Sequence, residues 1–499
     1  MIDFSKERRK SRAKQSVMAV GRTGLQPSVR TSTNFITRIS VDKLFGAFTY
    51  DLHLPDGSVA LKHNDPPLMI LYGDNGSGKT TLLKLVFGLL SPRQDKTQLD
   101  FIKKTPFERL VVELSDGTAF GAERSGRTTG SCIVYTQRPG QRRNWFIIVD
   151  KERGGEPSSP SQIVESPPKT VGEYRKRADE RAAAEAYAEF LEFVSALDLR
   201  LSFLGDDRKA PENPNRQVAT GVLSNYNPIS YNQAVSEFGN GGTLPIGNAV
   251  NRFGELIKQQ ALSGSSEGEE SSNLVYAHIA ELIARPTFAP GANPVPRRDS
   301  LRADLEELAK RSETFSTLGL APRLNVDGLV ASLAIDDKER LNVWLEVLEP
   351  YVAGVKVRLD ALEATRRSVQ TFLSNVNSFY TNKHVEFNVS RGLSVLTEGG
   401  EPLPLDRLSS GETQLLLLFC NVLTAPERGY IFIIDEPELS LNVKWQRRLV
   451  KALLDCAEGR SVQFILATHS IELLARHRHN VVELAQTEEE KGTLKAARS

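Results

Sequence analysis

The stretch that decides the fold is GDNGSGKT, residues 73–80, which follows the apolar run PPLMILY and precedes TLLKLVFGLLSP. It fits the pattern G-x-x-x-x-G-K-[S/T], whose glycines let the backbone close into a ring of inward-pointing N–H groups. Average composition gives such a match by chance in only about 2% of chains of this length. The flanking runs predict a buried strand before the loop and a helix after it. The pattern therefore predicts a site for nucleotide phosphates.

The residue types of this loop explain how it would hold a phosphate. Its backbone N–H groups and the N-terminal end of the following helix favour an anion. Lys79 adds a positive charge for the β- and γ-phosphates, and Thr80 offers a hydroxyl to Mg²⁺. The predicted ATP-binding residues of the loop are Gly73, Asn75, Gly76, Ser77, Gly78, Lys79, Thr80 and Thr81.

A second motif, YIFIIDEPELSL at residues 430–441, supplies the carboxylates that a phosphate loop needs. Its apolar part predicts a strand directly beside the strand that precedes the loop. Asp435, at the end of that strand, would hold Mg²⁺ together with Thr80, and Glu436 would orient or deprotonate the attacking water. DEP after a strand is by itself also a simple turn, but its pairing with the phosphate loop favours the catalytic interpretation.

Two further segments complete the pattern. In LSSGETQLLLLF (residues 408–419), Ser409 and Glu412 fit a capping box, which is typical of any helix start. A helix N-terminus with small residues is also an anion site, and it could receive a phosphate presented by a second subunit. In ATHS, His469 ends an apolar strand. It is either a satisfied core residue or a polar contact to the γ-phosphate, and the neighbouring motifs favour the contact.

In their order along the chain, which is phosphate loop, LSSGE, IIDEPELSL and THS, the four motifs resemble the head of the ABC-type ATPases. LSSGE resembles the family's signature motif LSGGQ and departs from it at Ser410 and Glu412, and ELSLN (residues 438–442) resembles its D-loop. The resemblance implies a homodimer or higher homo-oligomer in which two heads enclose two ATP molecules. Ser409, Gly411 and Glu412 of one copy would then meet the ATP of the other. Gln137 is a candidate for the Q-loop glutamine, and no adenine-stacking residue is assigned.

Strand-rich segments at both ends of the 499-residue chain enclose a helical middle. We expect an α/β fold: an ABC-type P-loop ATPase head, with a mixed sheet and helices, and a compact helical insertion broken at SGSSEGEESS. The predicted parts are a basic flexible arm (1–33), an N-terminal lobe with the phosphate loop (34–240), the insertion (241–382) and a C-terminal lobe (383–499). The arm is either a solvated segment or a contact for DNA or an acidic partner.

Bulk composition excludes several classes of protein. The net charge is +1, so the protein has no strong overall electrostatic potential that would indicate binding to nucleic acid or to an anionic membrane. The three cysteines are scattered, which argues against a zinc site or a disulfide framework. The longest apolar run is far shorter than the roughly 20 residues needed to span a bilayer. We therefore expect a cytoplasmic protein without a membrane partner.

Within the ABC-type group, the layout is similar to the soluble SMC/RecF-like heads. The motifs resemble ATPases of the overcoming-lysogenization-defect type, and too few residues follow His469 for the Toprim nuclease that those proteins often carry. The chain thus resembles the ATPase subunits of the PARIS and Septu anti-phage systems. This resemblance implies a separately encoded effector, a nuclease or toxin, and a phage-derived trigger protein. We expect the ATPase itself to turn over slowly. The alternatives are a RecF-like ATPase of DNA repair or chromosome maintenance, and a nucleotide-gated scaffold with negligible turnover.

Overall fold

The computed structural model describes residues 34–55, 66–91, 96–124, 128–148, 190, 192–197, 199–205, 246–284, 293–425 and 429–484. The predicted arm at 1–33 lies outside these residues, and so does most of the segment 172–198, whose sequence predicts a helix. Among the residues that are described, no helix is both long and apolar enough to cross a membrane.

The strands are β1 (Ile36–Leu44), β2 (Phe48–His53), β3 (Leu68–Tyr72), β4 (Arg109–Leu114), β5 (Ala119–Glu123), β6 (Cys132–Gln137), β7 (Asn144–Ile148), β8 (Arg200–Leu204), β9 (Lys383–Asn388), β10 (Gly392–Thr397), β11 (Pro402–Leu403), β12 (Tyr430–Asp435), β13 (Val462–Thr468) and β14 (Val481–Glu483). The helices are α1 (Lys79–Leu90), α2 (Lys96–Lys104), α3 (Ile246–Ala284), α4 (Val295–Thr317), α5 (Asp327–Ser332), α6 (Lys338–Phe379), α7 (Ser410–Leu423), α8 (Val443–Ala457) and α9 (Ile471–Leu474). Short 3₁₀ turns lie at Leu405–Arg407 and Arg478–Asn480. The mixed α/β fold class predicted from the sequence is confirmed.

A parallel sheet with the order β14-β3-β13-β12-β8 joins strands from both ends of the chain. The strand at Tyr430–Asp435 was predicted to lie directly beside β3, and this is wrong, because β13 pairs with both of them. Asp435 pairs with Ala467, and Ala467 pairs with Leu71. Since these strands are parallel, their carboxyl ends still share one edge. The phosphate loop and the acidic motif therefore open on the same side of the sheet.

Both faces of the parallel sheet are covered, which explains why its central strands β3, β13 and β12 are mostly apolar. Along β12, Ile431 and Ile433 belong to one core, which also includes α1 and the six-stranded antiparallel sheet β2-β1-β4-β5-β6-β7. Phe432 and Ile434 belong to the other core, with α3, α6, α7 and α8. This alternation is the period of two that a strand imposes. The three cysteines, Cys132, Cys420 and Cys456, are all buried.

The helical insertion is built on a long antiparallel pair, α3 with 39 residues and α6 with 42. The rings of Phe253 and Phe372 lie 4.7 Å apart, and a Cβ placed on Gly264 would lie 2.6 Å from Leu362 Cδ2. The predicted break at SGSSEGEESS is wrong, because α3 continues through it. Glycine and serine lower helix propensity by at most about 1 kcal/mol each. Close packing against α6, which needs a glycine at 264, outweighs that cost.

Candidate functional site

The phosphate loop lies between β3 and α1, as its sequence predicts. Gly76 and Gly78 have φ values of 85° and 84°, which favour glycine over any residue with a side chain. A Cβ on Gly78 would also lie 2.8 Å from Leu44 Cδ2, so the loop packs closely against the end of β1. The Tyr50 hydroxyl donates to the carbonyl of Ser77 at 2.9 Å. Asn75 is exposed, and Thr80 and Thr81 lie in the first turn of α1.

Lys79 is folded back into the loop that it follows. Its side chain is almost buried, at 5% exposure, and its Nζ donates to the carbonyls of Gly73 (2.7 Å) and Asp74 (3.0 Å). Both acceptors are neutral, so the ammonium charge is not cancelled by these bonds. A buried cation ringed by backbone groups is suited to attract a phosphate.

The acidic motif follows β12 at the same edge of the sheet. Asp435 is fully buried at the last position of the strand. Glu436 has φ of 47°, an uncommon conformation for a residue with a side chain, and its N–H donates to the carbonyl of Ala467 at 2.9 Å. The backbone strain turns the chain sharply after the strand, and strain of this kind is concentrated at functional sites.

Glu436, Glu438 and His469 form one cluster at the ends of β12 and β13. Oε2 of Glu436 lies 2.6 Å from Nδ1 of His469, and Oε1 of Glu438 lies 3.5 Å from the same nitrogen. Burial, with the hydrogen bond and the charge of Glu438, raises the pKa of Glu436 to about 7 despite the opposing effect of His469. A carboxylate with a pKa near neutrality can both accept and release a proton at physiological pH.

Two sets of side chains in this region could hold a cation. Thr80 and Asp435 offer the hydroxyl and carboxylate oxygens that Mg²⁺ prefers, and they lie at the same sheet edge, so the residues fit the predicted metal. Among the described residues, Glu436, Glu438 and His469 also bring ligand atoms within 4.8 Å of one another. In that cluster the hydrogen bonds among the three side chains account for the contacts.

The predicted signature helix is α7, and its capping box is confirmed. Oγ of Ser409 accepts from the N–H of Glu412, and Oε2 of Glu412 accepts from the N–H and the hydroxyl of Ser409, both at 2.8 Å. Nζ of Lys383 donates to the same oxygen at 3.1 Å. Burial opposes the charge, but the bonds from Ser409 and Lys383 outweigh it and lower the pKa of Glu412.

The signature helix contacts the turn after β12 of its own chain. A Cβ on Gly411 would lie 2.6 Å from the carbonyl oxygen of Ser440, so only a glycine permits this approach. Nε2 of Gln414 donates to the carbonyl of Pro437 at 3.0 Å, and both groups are buried. A movement of α7 would therefore displace the turn that carries Glu436.

An exposed aromatic side chain beside the phosphate loop, Phe45, was not predicted from the sequence. Phe45 has φ of 56° in the turn between β1 and β2, and its ring is 46% exposed. Its Cε2 would lie 3.5 Å from a Cβ on Gly78. The available signal was LFGAF, an aromatic residue in a tight turn between two strands. Gln137, the Q-loop candidate, ends β6, where its side-chain oxygen accepts from Nε of Arg143 at 2.9 Å.

Two family profiles match separate parts of the chain. Residues 58–124, around the phosphate loop, match the family described as "ABC transporter". Residues 345–475, which include the signature helix and the acidic motif, match the family described as "AAA domain, putative AbiEii toxin, Type IV TA system". Both matches agree with the resemblance of the motifs to an ABC-type P-loop ATPase head.

Relatives of known name agree with this class. A DNA double-strand break repair Rad50 ATPase of Sulfurisphaera tokodaii is 31% identical over 111 residues, which are 21% of this chain and 12% of the relative. A spermidine/putrescine import ATP-binding protein PotA of Pseudomonas fluorescens is 31% identical over 184 residues, 32% of this chain and 45% of the relative. The chain thus spans less than half the length of either.

Among solved structures, the Smc head domain with an extended coiled coil from Pyrococcus furiosus, bound to the C-terminal domain of ScpA, aligns with 93% of this chain and all of that chain. The identity is 12% and the TM-score 0.36. A second Smc head, bound to the winged-helix domain of ScpA, aligns with a TM-score of 0.35 and 10% identity.

Proposed function

We propose that this protein binds and hydrolyses ATP at sites shared between two copies of the chain. The observation that carries the proposal is the contact of 2.6 Å between Glu436 and His469, at the sheet edge where the phosphate loop opens. A structural carboxylate in a turn has no need of a partner imidazole, a pKa near 7 or a strained backbone. A general base next to a phosphate site benefits from all three.

Each predicted residue then has a definite task. Lys79 and the backbone N–H groups of the loop bind the β- and γ-phosphates, and Thr80 and Asp435 would hold Mg²⁺, which neutralises phosphate charge when bound. Glu436 accepts the proton of the attacking water, and His469 keeps the Glu436 carboxylate oriented and contacts the γ-phosphate. The exposed ring of Phe45 offers a face for the adenine base.

A second copy is needed in this proposal because the signature helix of one copy serves the ATP that the other copy holds. Ser409 is exposed at the start of α7, and its hydroxyl and Gly411 would approach the ATP of the partner copy. The contacts of Gly411 and Gln414 with residues 437–440 would transmit that event to Glu436 of the same chain. The proposed assembly is a homodimer or a larger homo-oligomer.

We further propose that the ATPase controls a separately encoded effector, a nuclease or toxin, in anti-phage defence. Support comes from the resemblance of the signature and acidic motifs to defence ATPases. It also comes from the match of residues 345–475 to a family whose description names a toxin of a toxin–antitoxin system. A phage protein would act as the trigger by changing the ATP-bound state. The three buried thiols suit a reducing cytoplasm.

The test is affinity purification of the tagged chain, expressed with its neighbouring genes, followed by mass spectrometry. We expect a stoichiometric nuclease or toxin with the wild type, and loss or altered retention of it with Lys79→Ala. Protection of cells against phage should require the same lysine. A chain that purifies without a protein partner and gives no protection would contradict the defence role.

The alternative is an ATPase of DNA repair or chromosome maintenance, which the Rad50 match favours. It needs a DNA-binding face, for which the basic segment RPGQRR at residues 138–143 is a candidate. In the structure, the guanidinium of Arg138 lies 4.7 Å from the Phe193 ring, and that of Arg143 lies 4.5 Å from the Tyr135 ring. Two of the three arginines are therefore held by their own chain. ATP hydrolysis stimulated by DNA would favour the repair role.

A further inference from the structure

The side chain of Glu438 joins the two loops that carry Glu436 and His469. Only 5% of Glu438 is exposed, and its Oε1 accepts from the hydroxyl of Thr468. The same oxygen accepts from the backbone N–H groups of His469 and Ser470, both at 3.2 Å. A buried carboxylate costs several kcal/mol of desolvation unless it is well hydrogen-bonded. Three donors from one short segment meet that need at Oε1, so the loop after β13 is tied to the loop after β12.

The turn that carries Glu438 is itself constrained. Glu436 and Ser440 have φ values of 47° and 64°, each a conformation that costs about 1–3 kcal/mol for a residue with a side chain. The N–H of Leu439 donates to the carbonyl of Glu436 at 3.1 Å, and that of Leu441 donates to the carbonyl of Glu438 at 2.9 Å. Glu438 is therefore presented from a fixed backbone.

Packing alone does not fix the ring of His469. Its side chain is 49% exposed, whereas the preceding residue, Thr468, is fully buried. The ring position is set by its own backbone and by the two carboxylates that face Nδ1. Glu438 binds the backbone of His469 directly, and its carboxylate is one of the two near Nδ1, at 3.5 Å. It therefore contributes both to the backbone position and to the side-chain contacts of His469.

We propose that Glu438 is a positioning residue for the hydrolysis proposed above: its buried carboxylate holds the segment Thr468–Ser470 and thereby sets the contact of His469 with Glu436. Glu438 orients Glu436 through His469, in addition to the effect of its charge on the pKa of Glu436. Its loss should impair the chemical step and leave nucleotide binding at the phosphate loop unchanged.

The test is a double-mutant cycle measured as steady-state ATP hydrolysis. Glu438→Ala should lower kcat about 10- to 100-fold, because small displacements of a catalytic group have effects of that size. KM for ATP should stay within about threefold of the wild type, because the loop at residues 73–80 is untouched. Glu438→Gln keeps an oxygen acceptor for the three donors and should retain kcat within about threefold. Glu472→Ala, which removes an exposed carboxylate three residues beyond His469, is the matched control and should have wild-type kinetics.

The cycle separates a positioning role from an independent one. In a His469→Ala background, Glu438→Ala should lower kcat by less than about twofold, because residues that act through one another are not additive. The same fold loss in both backgrounds, or a Glu438→Gln variant as impaired as Glu438→Ala, would overturn the proposal. If Glu438→Ala fails to fold, Thr468→Val removes one of the three donors instead and should lower kcat in the same His469-dependent way.

A second measurement does not depend on hydrolysis. The chain has seven histidines, so an NMR spectrum of the histidine-labelled wild type should contain seven histidine signals. The signal that is missing from the spectrum of His469→Ala belongs to His469. That signal should move in Glu438→Ala and stay in place in Glu472→Ala. A wild type without ATP hydrolysis would contradict the proposed function, whereas an unmoved His469 signal in Glu438→Ala would overturn the role of Glu438.

Discussion

Replacing Lys79 with alanine should weaken ATP binding about 100-fold or more. In the structure, Nζ of Lys79 makes two hydrogen bonds to neutral loop carbonyls, at 2.7 and 3.0 Å. With nucleotide bound, two comparable bonds would go to phosphate oxygens, and a hydrogen bond to a charged group is worth about 1.5–3 kcal/mol. Two of them amount to about 3–6 kcal/mol, and each 1.4 kcal/mol is a factor of ten in Kd.

The assay is calorimetric titration with a non-hydrolysable ATP analogue and Mg²⁺. Lys84→Ala is the matched control, because Lys84 lies on the same helix with its Nζ 5.9 Å from the Phe203 ring. The melting temperature of Lys79→Ala without nucleotide should stay near that of the wild type, because no carboxylate is left unpaired. An affinity within threefold of the wild type would refute the role of the loop.

Four further predictions follow from the site and the fold. Glu436→Gln should bind ATP normally and accumulate ATP-dependent dimers in light scattering, and a monomer under these conditions would argue against shared sites. Ser409→Arg should abolish hydrolysis while leaving ATP affinity unchanged, and full activity would contradict a contribution of α7 to the partner's site. Arg124→Met should lower the free energy of unfolding by about 3 kcal/mol or more in urea titration, because the buried guanidinium donates to the carbonyls of Thr105, Phe107 and Thr128, which would lose their donors. Glu436 binds its proton more tightly in the folded state, so the wild type should lose stability as pH rises from about 4.5 to about 7. Glu436→Gln lacks this titration, so its melting temperature should rise relative to that of the wild type across the same range.

The placement of each site motif at the end of a strand or helix was predictable because each motif is a short contiguous stretch of sequence. GDNGSGKT, DEP and SSGE each contain the glycines, caps or carboxylates that their local geometry needs, and the structure places them at strand and helix ends as expected. The order of the strands was not predictable in the same way. An apolar run such as Tyr430–Ile434 fits any central position of a parallel sheet, and only the pairing with β13 decides which one it occupies.

Long-range contacts also explain the other differences. Local composition at residues 263–272 favours a break, whereas packing against α6 keeps α3 continuous. The strand at Arg200–Leu204 is only five residues long, so little in its own sequence distinguishes it from a loop. Its pairing with β12 is what makes it a strand. The role of Glu438 was equally hidden, because its three donors come from residues 468–470, about 30 positions away along the chain.

The measurement that tests the central claim most directly is ATP hydrolysis by the purified wild type and by Glu436→Gln under single-turnover conditions with Mg²⁺. We expect the wild type to convert bound ATP to ADP and phosphate. We expect Glu436→Gln to bind ATP with similar affinity but to hydrolyse it at least about 100-fold more slowly. Equal rates for the two proteins would contradict the assignment of Glu436 as the catalytic base and, with it, the proposed site.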